Sequence, residues 1–192
     1  MLQYVLGDIY PHPYIVPRRI NISDYSPVFP DADNSRPFIV HSTTAPIAKG
    51  TPAVLKAIER LKDRYEFDFQ LIQNVSRKDA LKIMQQADIY LDQFVLGDFG
   101  MASIEAMAFG KPVVCYVKPS LQNVYGDQLP IVNATQDNLV DHLERLICDG
   151  RLRYAIGQQS YDYVSSTNDM KIVAPILKTI YSELYNSAHH HV

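Results

Sequence analysis

The chain has 192 residues, 47% of them apolar and 20% charged, with 8 Gly and 12 Pro, proportions that exclude a disordered or collagen-like polymer. A chain of this length buries roughly 70% of the surface its unfolded form exposes, which predicts one compact domain with one core. Eighteen basic against 21 acidic residues give a net charge of -3, and no dense Lys/Arg run builds a phosphate-tracking groove, so nucleic acid is excluded as a partner.

Six prolines (Pro11, Pro13, Pro17, Pro27, Pro30, Pro37) fall within residues 1–37. Each removes a backbone donor and fixes φ, so this stretch is predicted to be an extended lead-in. Over residues 38–168 short β-branched or aromatic runs alternate with amphipathic stretches, the mark of an α/β fold with a parallel sheet flanked by helices. The first strand is predicted at 38–41, and a loop leads to Thr51-Pro52, where Thr is read as the cap of a helix reaching about residue 64. A strand at 67–71 follows. Ser76 and Asp79 form a near capping box for a helix that turns Ala80, Leu81, Met84 and Ala87 inward. The third strand is 89–91, and a helix over about 101–109 ends at Gly110 before Pro112. Strands at 112–117 and 131–132 come next, then a helix with Leu139, Val140, Leu143, Leu146 and Ile147 on one face and Gly150 past its end. Two more helices close the chain. The last, over 169–186, carries Val173, Ile176, Leu177, Ile180, Tyr181 and Leu184, a stripe expected to be buried, and 187–192 is a His-containing tail.

Cys115 and Cys148 show no metal or redox spacing and are expected as small buried hydrophobes of a reducing compartment. No signal segment and no apolar run of membrane-spanning length is present, so a cytoplasmic protein is expected. Asp31-Ala-Asp33 lies in a Pro-rich loop and reads as a solvated turn rather than a metal site.

Two loop-to-helix junctions carry chemistry, because a helix N-terminus offers free N–H donors and a positive dipole end to an anion. In the first, Lys49 supplies a counter-charge and Gly50 lets backbone approach; the alternative is an exposed Lys in an ordinary turn. In the second, Gly100 leads into the amides of Met101 and Ala102, and Glu105 follows one turn on. Glu105 either accepts vicinal ribose hydroxyls or simply complements the helix dipole. His41 is open between a contact with a sugar and a satisfied hydrogen bond at a strand end.

In order and spacing, these segments resemble the C-terminal, donor-binding domain of the two-domain (GT-B) glycosyltransferases of group 1, family 4 in particular. The resemblance is carried by Ile15-Val-Pro-Arg-Arg-Ile-Asn21, by His41 through Thr51, by Ala87-Asp-Ile-Tyr-Leu91, and by Phe99-Gly100 through Ile104-Glu105-Ala-Met-Ala-Phe-Gly-Lys-Pro-Val113. It implies a Rossmann-like sheet forming one half of a GT-B glycosyltransferase for glycan biosynthesis. The implied reaction is hexosyl transfer from a nucleotide-diphosphate sugar, with retention, without a metal or other cofactor, and not by the isolated half. It implies that Lys49, Gly50, Gly100, Met101 and Ala102 bind the donor diphosphate and Glu105 the ribose, with His41, Asn74, Val75 and Asp98 as base or sugar contacts. The implied partners are the donor and an N-terminal acceptor domain, through which peripheral membrane association is expected and toward which the last helix packs. Two positions depart from the family pattern: Gly97 stands where the signature has its first Glu, and Pro46 where an Arg usually completes the diphosphate clamp. An Arg–phosphate hydrogen bond is worth about 1.5–3 kcal/mol. These departures motivate an alternative, a non-catalytic binding or scaffold module with a degenerate donor site.

Overall fold

The computed structural model describes residues 14, 16–125 and 128–189. The readings at Pro11, His12, Pro13, Ile15, His190 and His191 lie outside them. Among the described residues the β-branched runs form five parallel strands: β1 (Phe38–Ser42), β2 (Asp68–Ile72), β3 (Ile89–Leu91), β4 (Val113–Cys115) and β5 (Val132–Asn133). Their spatial order is β2-β1-β3-β4-β5. The helices are α1 (Pro46–Lys49), α2 (Thr51–Leu61), α3 (Arg77–Gln86), α4 (Met101–Ala108), α5 (Pro119–Tyr125), α6 (Leu139–Cys148), α7 (Gly150–Thr167) and α8 (Met170–His189).

Strand side chains alternate between faces. Ile39, Ile89, Leu91 and Val114 therefore meet Val54, Ala57 and Leu61 of α2 and Leu139, Leu143 and Leu146 of α6. Val40, Tyr90, Val113 and Cys115 meet Met84 of α3, Ile104 and Met107 of α4 and Val164 of α7. Each such apolar side chain contributes about 1.5–3 kcal/mol on burial, so both faces of the sheet must be covered.

The expected elements are present, with informative differences at their ends. Ser76 caps α3, accepting from the Asp79 amide at 3.2 Å. Thr51 does not cap α2; Gly50 does, in left-handed backbone (φ 75), because the preceding loop winds into the short turn α1 that Gly50 must end. Gly150 lies past α6, as expected, and also opens α7. The helix α5 was not foreseen. Cys115 is buried as expected, whereas Cys148 is exposed at the last turn of α6, a correction to the reading of both as core residues.

The Pro-rich lead-in packs rather than trailing. Ile20 bridges Asp169, Ile20 and Tyr25 are buried, and the Lys111 ammonium donates to the Val28 carbonyl. Burial pushes the Lys111 pKa down to about 8, against the raising pull of Asp88. The buried Arg153 holds the same segment from the other side, donating to the carbonyls of Leu146, Ile147 and Asn34. The turn at residues 31–33 is the solvated one expected, closed by the Asp33 amide on Asp31 Oδ1 at 2.9 Å.

The stripe on α8 is only partly covered within the described residues. Val173 is buried, but Tyr181 is 68% exposed and Leu184 50%, because among the described residues the principal neighbour of α8 is α7 alone.

Where α7 crosses the end of α4, a Cβ on Gly157 would stand 2.4 Å from the Gly110 carbonyl oxygen. That contact is backbone against backbone and cannot relax by a rotamer change. Gly157→Ala is therefore expected to destabilise the fold by about 1–3 kcal/mol, measured as a shift in the denaturant midpoint at unchanged slope.

Candidate functional site

The chain leaves β1 for β2 on one side and returns to place β3 on the other, both in parallel register. The connections after β1 and β3 thus diverge from the carboxyl ends of these two neighbouring strands. In an open α/β sheet that divergence makes a crevice at the carboxyl ends of the strands, where ligands bind.

At the end of β1, His41 is fully buried and both ring nitrogens are used: Nδ1 faces the Leu91 carbonyl and Nε2 the Thr51 hydroxyl, each at 2.9 Å. A carbonyl only accepts, so Nδ1 carries the proton and Nε2 accepts from Thr51. Burial lowers the His41 pKa below its ordinary 6.5, with the Leu91 carbonyl pulling the other way, and the ring is neutral. Of the two roles open for His41, the structure has the satisfied strand-end histidine, pinning β1 to β3 and to the start of α2.

Lys49, at the last position of α1, donates to the Ser42 carbonyl at 3.2 Å and pairs with Asp92 Oδ1 at 2.7 Å. Asp92 follows β3 and is 1% exposed. Its other oxygen accepts from the Gly100 amide at 3.1 Å and the Ser103 hydroxyl at 2.6 Å. The Gly100 N–H therefore points inward to Asp92, while the amides of Met101 and Ala102 open the first turn of α4 with no intrahelical acceptor. Gly50 turns the chain against Phe94, whose Cβ lies 3.2 Å from where a Gly50 Cβ would be.

Gln93 shapes the loop between β3 and α4. Its side-chain oxygen accepts from the amides of Val95, Leu96 and Gly97, and its amide donates to the carbonyls of Asp98 and Tyr116. Gly97 sits in left-handed backbone (φ 77), with the Lys118 stem 3.2 Å from its absent Cβ. Asp98 is turned to the lead-in: it receives Arg18 at 3.1 Å and the Tyr125 hydroxyl at 2.9 Å. Burial and the Asp98 charge push the Tyr125 pKa up to about 12. Glu105, on the next turn of α4, is buried and accepts from Tyr25 at 3.2 Å and from Arg77, whose side chain is 71% exposed. Asn74 (φ 56) and Val75 are exposed in the loop after β2.

A family profile described as Glycosyl transferases group 1 matches residues 64–163, just over half of the chain. The chain belongs to the group 1 glycosyltransferases. No curated protein sequence matches it. Among solved structures, this group 1 chain is similar to sucrose-phosphate synthase of Thermosynechococcus elongatus at 16% identity and a TM-score of 0.68, over 91% of this chain and 53% of that one. It is similar to TarM of S. aureus, solved with UDP and alpha-GlcNAc-glycerol, at 13% identity and a TM-score of 0.68, over 94% and 41%. It is also similar to the C-terminal domain of a group 1 protein (LpcC) of Francisella tularensis, at 16% identity and a TM-score of 0.58, over 79% and 99%. These likenesses fix the fold as that of GT-B glycosyltransferase domains, and the chain spans about half the length of the first and less of TarM.

The site residues read from the sequence thus divide. Lys49, Gly100, Met101 and Ala102 converge on Asp92 and the α4 N-terminus; Glu105 lies one turn on; Asn74 and Val75 stand exposed after β2; Asp98 and His41 are engaged within the protein. Sequence reading missed Asp92, Gln93 and Ser103. Their signal was the polar pair Asp92-Gln93 directly after an apolar strand, with Ser103 three residues past Gly100 on the same helix face. Among the described residues no group of three His, Cys, Asp or Glu could hold a metal ion, and no helix is long and apolar enough to cross a membrane.

A histidine with a lowered folded pKa makes the unfolded state bind more protons as pH falls through its ordinary value. Stability is then full above about pH 6.5 and declines below it. His41→Gln is expected to remove part of this acid sensitivity, read as a smaller loss of urea stability between pH 7.5 and pH 5.5 than in the parent.

Proposed function

We propose that this chain is the donor-binding half of a glycosyltransferase that transfers a sugar, with retention, from a nucleotide-diphosphate sugar to an acceptor held by an N-terminal domain. The observation that carries the proposal is that Asp92 ties the Lys49 ammonium to the N-terminus of α4 beside the carboxyl ends of β1 and β3. An ammonium has three N–H donors; Ser42 and Asp92 take two, and the Lys49 side chain remains 22% exposed. Lys49 and the Met101 and Ala102 amides then receive the diphosphate and stabilise the negative charge that grows on it as the glycosyl bond breaks. The fold likeness to TarM, which was solved with UDP, supports a nucleoside diphosphate as the ligand.

Glu105 receives the ribose hydroxyls from the next turn of α4. Tyr25 steadies its carboxylate, and the exposed Arg77 yields its place to the nucleoside. The base faces the loop at Asn74 and Val75. No metal has a part in this scheme. The exposed face of α8 packs toward the N-terminal domain, which also brings the enzyme to the cytoplasmic membrane surface, and the isolated half has no turnover.

Calorimetric titration of the 192-residue chain with UDP, GDP, ADP and their sugar nucleotides tests the reading. One base is expected to bind selectively. Lys49→Ala is expected to weaken that ligand by about 1.5–3 kcal/mol, more than tenfold, and Glu105→Ala to weaken the nucleotide but not inorganic pyrophosphate. A folded parent that binds none of them at millimolar concentration overturns it.

A further inference from the structure

We propose that Asp92 is a positioning residue for the diphosphate: it holds the Lys49 ammonium in line with the α4 N-terminus, so that cation and amides act on one ligand. The proposal rests on the donor-site reading above.

Asp92 is fixed from behind before it touches Lys49. Oδ2 is anchored by two groups of α4, the Gly100 amide and the Ser103 hydroxyl, and Oδ1 passes that anchorage to Lys49 Nζ at 2.7 Å. A lysine is a point charge on a flexible four-carbon stem, and by itself it carries no orientation. The second anchor, the Ser42 carbonyl at 3.2 Å, ties the ammonium to the end of β1. Together the two hold the charge beside the carboxyl ends of the adjacent strands β1 and β3.

The exposure gradient sets which charge an anion meets. The Lys49 side chain is 22% exposed and the Asp92 side chain 1%, so of the two charges Lys49 is the one nearer to solvent. A buried ion pair adds little stability over an apolar pair of the same shape. The orientation of Lys49 gives this pair its use.

Asp92→Asn separates the two halves of the role. One side-chain oxygen still receives Gly100 and Ser103, while an NH2 group now faces the ammonium and releases it. The experiment compares the parent, Lys49→Ala, Asp92→Asn and the double variant as 192-residue chains. It measures dissociation constants for UDP, GDP, ADP and inorganic pyrophosphate, thermal melts, and the 15N ammonium signal of Lys49. Asp92→Asn is expected to weaken the tightest of the four ligands at least fivefold and to abolish the exchange-protected Lys49 signal. In the Lys49→Ala background the same change is expected to alter affinity less than twofold, a non-additivity that a purely structural role would not produce.

Affinity within twofold of the parent, tighter binding, or an undiminished loss in the Lys49→Ala background overturns the proposal. Where Asp92→Asn does not melt like the parent, Ser103→Ala replaces it: that change loosens Oδ2 without touching the charge and is expected to weaken binding about threefold, and unchanged affinity overturns the proposal. A parent that binds none of the four probes overturns the donor-site reading and this proposal with it. That failure is distinct from one in which Lys49→Ala loses affinity and Asp92→Asn does not.

Discussion

A carboxylate taken out of water at the end of β3 must be given donors or neutralised, since an unpaired buried charge costs several kcal/mol. Asp92 finds its donors on two separate pieces of chain: Lys49 before α2, and the start of α4, where the Gly100 amide and the Ser103 hydroxyl both donate. The turn α1, the β3–α4 loop and the axis of α4 are thereby referred to one atom group. Because Lys49 also bonds the Ser42 carbonyl, the end of β1 joins the same network. The carboxyl ends of β1 and β3 are thus joined by side-chain polar contacts as well as by strand pairing.

Two further carboxylates around the start of α4, Asp98 and Glu105, are met by the lead-in. Arg18 pairs with Asp98 while its guanidinium lies 5.8 Å over the Phe99 ring, and Tyr25 reaches Glu105. Residues outside the alternating α/β pattern therefore form a wall of the site, and their extended backbone is what carries them across two strand connections. Gly97 belongs to the same design. The three amides gathered on Gln93 demand a tight turn, and the left-handed backbone that closes it suits glycine and strains a side chain such as the Glu of the family signature.

The parallel sheet was legible because its strands are short apolar runs, such as Ile89-Tyr-Leu91, separated by helical periods, and periodicity reports which face is buried. Helix termini were legible where one residue decides them, as Ser76 and Gly110 do. Thr51 misled because a hydroxyl before a helix reads as a cap, whereas a histidine ten residues earlier claims it through tertiary contact. The stripe on α8 was read correctly as apolar, but its covering is a property of what stands next to it, which the local pattern does not encode. Lys49 and Glu105 were singled out by the family resemblance. Asp92 was not, since a single Asp after a strand is common, and what distinguishes it is the convergence of donors from residues 49, 100 and 103.

The pairing of β1 with β3 sets Ile39 beside Ile89, a register that joins segments fifty residues apart with β2 and three helices between them. As the chain is synthesised, β1 and β2 can associate early, while the gap beside β1 stays open until β3 arrives, and Asp92 has no amide or hydroxyl to receive until α4 has emerged and folded. During that interval a β-branched strand edge and a lone lysine face solvent together. The cluster around Asp92 is thus among the last features to be completed, and its nascent precursor is an unpaired edge of the kind that chaperones shield.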